Sequence, residues 1–320
     1  METLIEINNL KKWFFSGKTP FGHKESVKAL DGVSFHISRR EVLGLVGESG
    51  CGKTTCGKVI LRIHEPTGGS IKFLGNDITG LDKKEMLQYR KKMMIIYQDP
   101  FGSLDPRMTI GGAIAEPMIV HNTTPKREIP DKVAELMKKV GMLPEQRDRY
   151  PHQFSGGQRQ RIGIARALAT DPEFIVADES VSALDVSIQA QIINLLQQLQ
   201  RELGLTLLFI SHDLSVVKHI SDRVAVMYLG KIVEVAPKTV LFNNPRHPYT
   251  QALLTSIPVP DPLQRGKSKV LAGDVPSPIN PPPGCRFHTR CPHVMDICKK
   301  EEPPFYEVDG NHTVACYLYK

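Results

Sequence analysis

The stretch Gly47-Glu48-Ser49-Gly50-Cys51-Gly52-Lys53-Thr54 stands between the apolar run Val42–Val46 and a helical pattern from Lys53 to about His64. It fits the pattern GxxxxGK[ST], which requires a strand before it and a helix after it. Glycines let the backbone wrap around phosphate groups, so that N–H groups and the helix N-terminus face the negative charge. The sequence therefore predicts a phosphate-binding loop, and with it a nucleotide ligand.

Several side chains of this loop have separate predicted roles. Lys53 is expected to reach the β- and γ-phosphates, the Thr54 hydroxyl to ligate Mg²⁺, and the Thr55 hydroxyl to bond the α-phosphate. Cys51, like Cys56 in the following helix, is expected to be a small buried residue. The loop residues predicted to contact nucleotide are Gly47, Ser49, Gly50, Cys51, Gly52, Lys53, Thr54 and Thr55.

An acidic pair follows a second apolar run. Phe174–Ala177 is typical of a buried strand and leads directly into Asp178 and Glu179. A carboxylate at a strand tip can hold Mg²⁺ through water, which is the role predicted for Asp178. Glu179 is predicted to act as the base or to orient the attacking water, with a helix-capping acid as the alternative.

The stretch Phe154-Ser155-Gly156-Gly157-Gln158-Arg159-Gln160-Arg161 lies between these two elements and opens a helix predicted over Gly157–Ala169. Ser155–Gln158 matches the signature LSGGQ, with Phe154 in place of the usual Leu. Together with the loop and the acidic pair, it makes the chain resemble the ATP-binding subunit of an ABC (ATP-binding cassette) transporter. The resemblance covers residues 1 to about 235.

Three further motifs carry the same resemblance. Gln98 matches the Q-loop glutamine, Ser182-Ala183-Leu184-Asp185 matches the D-loop, and His212 matches the switch histidine. The resemblance implies that Gln98 ligates Mg²⁺ or the attacking water and that His212 bonds the γ-phosphate. Ser180 stands where the family often has Pro, and we expect no mechanistic consequence. The implied catalytic residues are Lys53, Gln98, Glu179 and His212.

The family works as a head-to-tail pair of cassettes, so the resemblance implies a composite site. Ser155 and the amides of Gly156 and Gly157 would cap the γ-phosphate held by the partner, using N–H donors at a helix N-terminus. Glycine is expected there because a Cβ would block close approach. The implied contacts of this second half are Ser155, Gly156, Gly157, Gln158 and Asp185.

The resemblance implies an α/β fold of the P-loop NTPase (RecA-like) class. It comprises an ABC nucleotide-binding domain over residues 1–236, with an antiparallel β subdomain and a helical subdomain at about 99–165. A small, irregular, metal-binding extension is expected over 237–320. Within it, prolines crowd into 258–283, which indicates a linker or an irregular appendage, and the last four cysteines lie beyond that stretch.

Periodicity adds local predictions. Glu6–Leu10 and Val33–Ile37 alternate as antiparallel strands do, and Thr109 to about Val140 has a helical pattern. Pro117, Pro125 and Pro130 are expected to break that pattern, and Gly141 to end it. The other predicted elements are strands at 71–74, 93–97 and 206–210, a helix at 188–203 ended by Gly204, and a hairpin of 224–228 with 231–235.

An aromatic side chain is expected to stack on the adenine, as the family uses one near the N-terminus. Spacing after Asn9-Leu10-Lys11-Lys12 favours Phe14. Trp13 is the second candidate, Phe15 completes the aromatic run, and a packing role remains open for each.

The tail carries four cysteines at Cys285-x5-Cys291-x6-Cys298-x17-Cys316. Four thiols suit a [4Fe–4S] cluster; zinc is the alternative, although its structural sites usually have CxxC knuckles, and four free thiols are a third reading. Gly284–His288, Arg290–Pro292 and Asn244–Thr250 resemble the extension of dipeptide/oligopeptide permease ATPases, in some of which the cysteines hold [4Fe–4S]. A structural cluster is favoured over a redox sensor. The nearby histidines, expected at the surface, are His288, His293 and His312.

Bulk composition limits the remaining partners. The net charge of +7 and the pI of about 9.0 come from scattered residues, which favours a solvated surface and a phosphate ligand over nucleic acid. The start Met1–Glu6 is unlike a signal peptide, and no apolar run approaches the roughly 20 residues that span a bilayer. We therefore expect a peripheral protein on the cytoplasmic side of the membrane.

The resemblance implies the rest of the assembly. The expected partners are a sister ATP-binding subunit, two membrane permease subunits and an extracytoplasmic solute-binding protein. A heterodimer with the sister subunit is favoured, and a homodimer of the isolated chain is the alternative. An importer of dipeptides or oligopeptides is the leading function; an oligosaccharide importer and a soluble ABC protein without a transport role are the other candidates.

Overall fold

A computed structural model describes residues 2–15, 26–182, 184–255 and 273–320. The chain divides into two compact units, neither of them continuous in sequence. The first contains Met1–Glu2, Ile37–Glu41 and Gly80–Ile210, and the second contains Thr3–His36, Val42–Thr79 and Ser211–Lys320. Residues 16–25, most of the predicted linker and Ala183 of the D-loop lie outside the described residues.

The strands are β1 (Thr3–Phe15), β2 (Ser26–Ser38), β3 (Val42–Val46), β4 (Gly68–Phe73), β5 (Asn76–Asp77), β6 (Met93–Ile96), β7 (Phe174–Asp178), β8 (Thr206–Ile210), β9 (Arg223–Tyr228), β10 (Lys231–Pro237), β11 (Tyr306–Glu307) and β12 (Thr313–Val314). The helices are α1 (Lys53–Ile60), α2 (Lys83–Arg90), α3 (Ile110–His121), α4 (Ile129–Lys139), α5 (Gly156–Leu168), α6 (Val186–Leu203), α7 (Leu214–Ile220), α8 (Lys238–Asn243) and α9 (Pro248–Thr255). Short 3-10 turns occupy Pro144–Gln146, Pro151–Gln153, Asp296–Lys299 and Tyr317–Tyr319. None of the described helices is both long and apolar enough to span a membrane.

Parallel strands form the core of the first unit. Strand β7 pairs with β8 on one side and with β6 on the other. Every residue of β7 and β8 is buried, as their continuous apolar sequences predict. At the start of β7 the Glu173 carboxylate accepts hydrogen bonds from Lys92 and Arg39, each at 2.8 Å. Strand β7 therefore begins directly after the paired carboxylate of Glu173 and ends at the acidic pair Asp178 and Glu179.

Helices α3, α4 and α5 pack against one another in the same unit. Helix α4 buries Val133, Leu136 and Met137, which share one face at helical spacing. Gly141, with φ of +73°, follows that helix as predicted. Pro130 lies in its first turn, where proline is tolerated, and Pro125 precedes it.

Pro117 lies inside α3, so the prediction that it breaks the helical pattern is wrong. Proline removes one backbone hydrogen bond from a helix interior. Ile110, Ile114 and Met118 are nevertheless fully buried along one side of the helix. Burial of these side chains stabilises α3 across the missing hydrogen bond, an effect that local propensity does not contain.

The second unit contains an antiparallel sheet in the order β2, β1, β4, β5. Strand β1 pairs with β4, and β4 turns into β5. Strand β3 pairs in parallel with β9, and β9 and β10 form the predicted hairpin. Leu229 and Gly230 both have positive φ at its turn, which matches the twist of the flanking strands. Helix α1 ends at Ile60, four residues before the predicted His64.

The C-terminal extension adds two short strands to the edge of the sheet that contains β3, β9 and β10. Strand β12 pairs antiparallel with β10, with Glu234 opposite Val314, and β11 pairs with β12. The Ala315 N–H also donates to the Val233 carbonyl at 2.8 Å. The extension is therefore mostly irregular, as predicted, but its short strands β11 and β12 attach it to β10.

A buried acid–imidazole pair lies at this attachment. His312 Nε2 and Glu234 Oε1 are 2.7 Å apart, and both side chains are fully buried. The Glu234 carboxylate also accepts hydrogen bonds from the N–H groups of Arg246 and His247, at 2.7 and 3.0 Å. The prediction of a surface His312 is therefore wrong, because its partner lies far away in sequence. His293 is exposed and His288 is half-buried.

Candidate functional site

The phosphate loop of the second unit adopts a conformation that only glycine tolerates well at one position. Gly52 precedes α1 with φ of +109°, and a Cβ there would lie 2.3 Å from the Ala29 carbonyl oxygen. The loop follows β3 and precedes α1, which is the predicted context. Ser49 and Gly50 are exposed, while Cys51 is buried as predicted.

Lys53 closes the loop from inside. Its ammonium donates to the Gly47 carbonyl at 2.8 Å and to the Glu48 carbonyl at 3.0 Å, and the side chain is buried. Thr54 and Thr55 follow in the first turn of α1 and are half-buried. Burial raises the pKa of the Cys51 thiol, so this cysteine is protonated near neutral pH.

The acidic pair stands at the end of β7 in the first unit. Asp178 is the last residue of the strand and is buried, whereas Glu179 turns out of it with φ of +43°. Glu179 is fixed by its N–H, which donates to the Ile210 carbonyl at 3.0 Å. The structure brings Gln98 to this acid: Gln98 Nε2 donates to Glu179 Oε2 at 3.0 Å.

The signature segment begins α5 as a capping box. Ser155 Oγ accepts from the Gln158 N–H, and Gln158 Oε1 accepts from the Ser155 N–H at 3.0 Å. The box uses the N–H of Gln158, not those of Gly156 and Gly157. The buried Phe154 precedes it.

Gly157 is also required for packing within the chain. A Cβ at this position would lie 2.5 Å from Cγ2 of Ile188 on α6. A Cβ at Gly156 would be 3.4 Å from Leu184. Close approach to a ligand remains the prediction for these glycines, and Gly157 in addition lets α5 contact α6.

The switch and D-loop residues have defined positions. His212 follows β8 and is exposed, and the preceding Ser211 donates its N–H to the Leu45 carbonyl at 3.2 Å. Ser182 Oγ donates to the Glu179 carbonyl at 3.0 Å, which links the D-loop to the acidic pair. Asp185 is exposed at the start of α6.

The N-terminal aromatic residues differ in their surroundings. Trp13 donates its indole N–H to Asp31 at 3.1 Å, and the Lys28 ammonium lies over its ring. Phe14 meets His64 edge-on and has the Lys12 ammonium over its ring, but it is 38% exposed, and Phe15 is 60% exposed. Trp13 is thus engaged in packing, whereas the rings of Phe14 and Phe15 are accessible.

The surroundings of Glu48, a variable position of the loop motif, were not predicted from the sequence. The Arg290 guanidinium donates to both Glu48 carboxylate oxygens, at 2.8 and 3.1 Å. The Glu48 N–H donates to the Tyr249 hydroxyl at 2.9 Å. Both partners belong to the extension, and no local pattern connects them to residue 48.

The four tail cysteines line one pocket in the second unit. They are Cys285, Cys291, Cys298 and Cys316. Burial raises the pKa of Cys285 to about 12 and that of Cys316 to about 11. Across the described ranges, no group of three or more His, Cys, Asp or Glu side chains is placed closely enough to hold a metal ion.

Comparison with known proteins agrees with these motifs. Residues 30–182 match the model of the ABC transporter family, and residues 233–298 match that of the oligopeptide/dipeptide transporter C-terminal region. The chain is 55% identical to the oligopeptide transport ATP-binding protein AppF of Bacillus subtilis (strain 168), over 99% of this chain and 98% of that protein. The chain belongs to the ABC transporter ATP-binding family.

Other members of the ABC family are similar over most of their length. A putative peptide import ATP-binding protein of Brucella abortus (strain 2308) is 55% identical over 91% of this chain and 92% of its own. Among solved structures, the ATP-binding cassette MJ0796, a dimer in a post-hydrolysis state bound to ADP and phosphate, has a TM-score of 0.66 at 27% identity. It covers 73% of this chain and 99% of that one, which confirms the ABC cassette fold.

The match to the oligopeptide/dipeptide transporter C-terminal region includes Cys285, Cys291 and Cys298 and ends before Cys316. It also includes Tyr249 and Arg290, the two residues that contact Glu48. The extension is therefore an element shared with peptide-transport relatives.

Proposed function

We propose that the chain is the ATP-hydrolysing, energy-coupling subunit of an ABC importer for dipeptides or oligopeptides. The observation that carries hydrolysis is the Gln98–Glu179 hydrogen bond at the end of β7. The peptide assignment is supported by the C-terminal region and by the names of the relatives, which are 55% identical.

The phosphate loop is proposed to bind the triphosphate of ATP. The Lys53 ammonium, which donates to the Gly47 and Glu48 carbonyls, would form hydrogen bonds to the β- and γ-phosphate oxygens, because anionic acceptors form the stronger hydrogen bond. Thr55 would bond the α-phosphate. The backbone amides of Gly47–Thr54 would complete the cradle.

Magnesium suits the polar groups of this family pattern. A hydroxyl at the start of α1 (Thr54), the Gln98 amide and the buried carboxylate of Asp178 are the oxygen donors that this hard cation prefers. The ion would neutralise charge on the phosphates. Asp178 would act through water, and Thr54 and Gln98 would ligate directly.

Glu179 is proposed to take the proton from the attacking water. Its carboxylate is oriented by Gln98 and its backbone by the hydrogen bonds to Ile210 and Ser182. A general base must be held within hydrogen-bond reach of its proton donor, and this double restraint serves that need. His212 would bond the γ-phosphate.

The signature and D-loop are assigned to the ATP of a partner cassette. Ser155, Gly156, Gly157 and Gln158 would present a helix N-terminus to that γ-phosphate, and Asp185 would lie at the same interface. The similarity to a dimeric cassette supports this arrangement. The partner would be a sister subunit, and two permeases and an extracytoplasmic binding protein would complete the importer on the cytoplasmic side of the membrane.

Adenine is assigned to Phe14. The accessible ring supports this choice over Trp13, whose indole is bonded to Asp31, and Phe15 is the remaining alternative. An aromatic face offers adenine an offset-stacked contact without hydrogen-bond demands.

The cysteine pocket is assigned a [4Fe–4S] cluster in the C-terminal extension 237–320. Four thiols around one pocket fit the cluster's donor requirement. A single zinc ion, which takes its sulfur ligands at about 2.3 Å, is the alternative occupant. Bound iron would make these buried thiols ionise, and the cysteines would then hold the tail's irregular backbone together.

The experiment uses the assembled transporter in lipid vesicles. ATP hydrolysis is measured with the binding protein loaded with a di- or oligopeptide, and again with an oligosaccharide. Stimulation by peptide alone is the expected result. Stimulation by sugar would replace the substrate class, and ATP hydrolysis that no assembled permease alters would contradict the transport role.

A further inference from the structure

Glu48 places a carboxylate within the loop that is assigned to the triphosphate. It is the second residue of the Gly47–Thr54 motif, and its side chain is 24% exposed. A negative charge close to bound phosphates opposes binding, and a site partly shielded from water screens the repulsion weakly. A phosphate loop with an acid at this position therefore needs that charge compensated.

Arg290 compensates the charge from the C-terminal extension. Its two terminal nitrogens bond the two Glu48 oxygens in a fork, and its side chain is only 5% exposed. Paired, charge-assisted hydrogen bonds of this kind fix geometry as well as charge. The Glu48 carboxylate also raises the pKa of Arg290, so the guanidinium remains charged throughout the physiological range.

The extension also holds the backbone of the same residue. The Tyr249 hydroxyl accepts the Glu48 N–H, and the Tyr249 ring is fully buried against Tyr228 and Phe287, at centroid distances of 4.6 and 5.4 Å. Phe287 lies between Cys285 and Arg290 in sequence and lines the cysteine pocket. The side chain and the backbone of Glu48 are thus both held by residues beyond the hairpin β9–β10.

A second arginine of the extension reaches the loop through the hairpin turn. Arg286 bonds the Leu229 carbonyl and Asp31. The next residue of that turn, Gly230, donates its N–H to the Cys51 carbonyl of the phosphate loop at 2.8 Å. The extension therefore supports the loop at two separated points.

We propose that Arg290 is a positioning residue for nucleotide binding, which neutralises Glu48 and presents the phosphate loop to its ligand. The C-terminal extension would then set the nucleotide affinity of the cassette. This inference rests on the proposed ATP binding. It predicts that the repulsion from Glu48 is masked only while the extension is docked.

The test is a double-mutant cycle in the full chain, with binding of Mg²⁺–ADP measured by calorimetry. Arg290→Gln is expected to weaken ADP binding about tenfold, which corresponds to about 1.4 kcal/mol. Glu48→Gln is expected to bind at least as well as the wild type. The double variant Glu48→Gln/Arg290→Gln is expected to return to within about threefold of the wild type. Arg246→Gln, which removes the extension's ion pair with Asp309, is the matched control and should leave affinity unchanged.

The cycle separates charge masking from a purely structural tie. If the pair only held the extension in place, both single variants and the double variant would weaken binding alike, and the proposal would be overturned. Unchanged binding by Arg290→Gln would overturn it as well, while ATP binding itself would stand. Absence of ADP binding by the wild type would overturn the proposed function together with this inference.

A charge-conserving variant covers the case in which Arg290→Gln does not fold. Arg290→Lys keeps the positive charge and loses the fork. Affinity within about threefold of the wild type supports masking by charge. A loss as large as tenfold, not restored by adding Glu48→Gln, contradicts it.

Discussion

Gln98 and Glu179 lie 81 positions apart in sequence, and a hydrogen bond of 3.0 Å joins the amide of one to the carboxylate of the other. Gln98 follows β6 and precedes α3, while Glu179 directly follows β7, the strand paired with β6. Any shift of the segment that follows β6 therefore moves the donor that orients the acid. This connection makes the orientation of Glu179 sensitive to the helical part of the first unit.

Gly157→Ala is expected to lower the free energy of unfolding by about 1–3 kcal/mol, because its Cβ would overlap the Cγ2 methyl of Ile188. Chemical denaturation without nucleotide measures this change. Gly163→Ala on the same helix is the control: its Cβ meets no atom within 4 Å, and alanine should stabilise the helix slightly. Adding Ile188→Leu, which lacks that methyl, should recover most of the loss; no recovery would contradict the packing explanation.

Glu234→Gln is expected to loosen the docked extension, because the amide nitrogen cannot accept the hydrogen bonds that the carboxylate receives. A loss of about 3 kcal/mol is typical when a buried charged network is broken. Hydrogen exchange of the backbone amides of β12, the strand that pairs with β10, measures how far the extension is loosened. The exposed Glu307→Gln is a control on β11, and equal exchange in the two variants would contradict the role of Glu234.

Because the Glu234 carboxylate lies where the extension joins β10, we expect that attachment to weaken in acid. Burial alone would raise the pKa of Glu234, but its hydrogen bonds, that with His312 foremost, lower it below the ordinary 4.5. The unfolded chain then takes up the proton first, so this stabilisation is complete above about pH 4.5 and is lost as the pH falls through the lower folded pKa. Denaturation at stepped pH should show a smaller acid dependence in Glu234→Gln; an unchanged dependence would place the effect elsewhere.

Cys298→Ser is expected to abolish iron binding, because it removes one of four thiols from the pocket. Iron and acid-labile sulfide are measured on protein purified without oxygen, together with absorbance in the visible range. Cys56→Ala, a buried cysteine of α1 outside the pocket, should retain the iron. If the wild-type protein contains zinc and no iron, the cluster assignment is wrong and the pocket is a zinc site.

Lys53→Ala is expected to weaken ATP binding roughly 10- to 100-fold, since a charge-assisted hydrogen bond to phosphate is worth about 1.5–3 kcal/mol. Equilibrium binding without hydrolysis measures the change. Lys58→Ala, one turn or more along α1, should bind ATP as the wild type does. Equal affinities of the two variants would remove Lys53 from the site.

Local patterns predicted the elements that carry the motifs. The run Thr206–Ile210 became β8 with its predicted bounds, and the helix before Gly204 ends there as expected. Spacing alone also brought Ser155 and Gln158 to one helix start. These features depend on neighbours in sequence, which is why they are readable without the fold.

Long-range packing was not readable in the same way. Helix α3 continues through Pro117 because burial of its apolar side chains stabilises it. His312 is buried because it pairs with the buried carboxylate of Glu234. The Arg290–Glu48 pair spans 242 positions and joins a variable site of one motif to a loop residue of another. No periodicity marks such partners, since each is chosen by the folded surroundings.

The most direct test of the ATPase account is Glu179→Gln in the full chain. Loss of the base should slow single-turnover ATP hydrolysis at least about 100-fold, while Mg²⁺–ATP binding persists and traps a dimer that light scattering detects. Glu202→Gln, an exposed change near the end of α6, should hydrolyse ATP as the wild type does. Hydrolysis by Glu179→Gln at the wild-type rate would contradict the assignment of Glu179, and with it the account of how this cassette uses ATP.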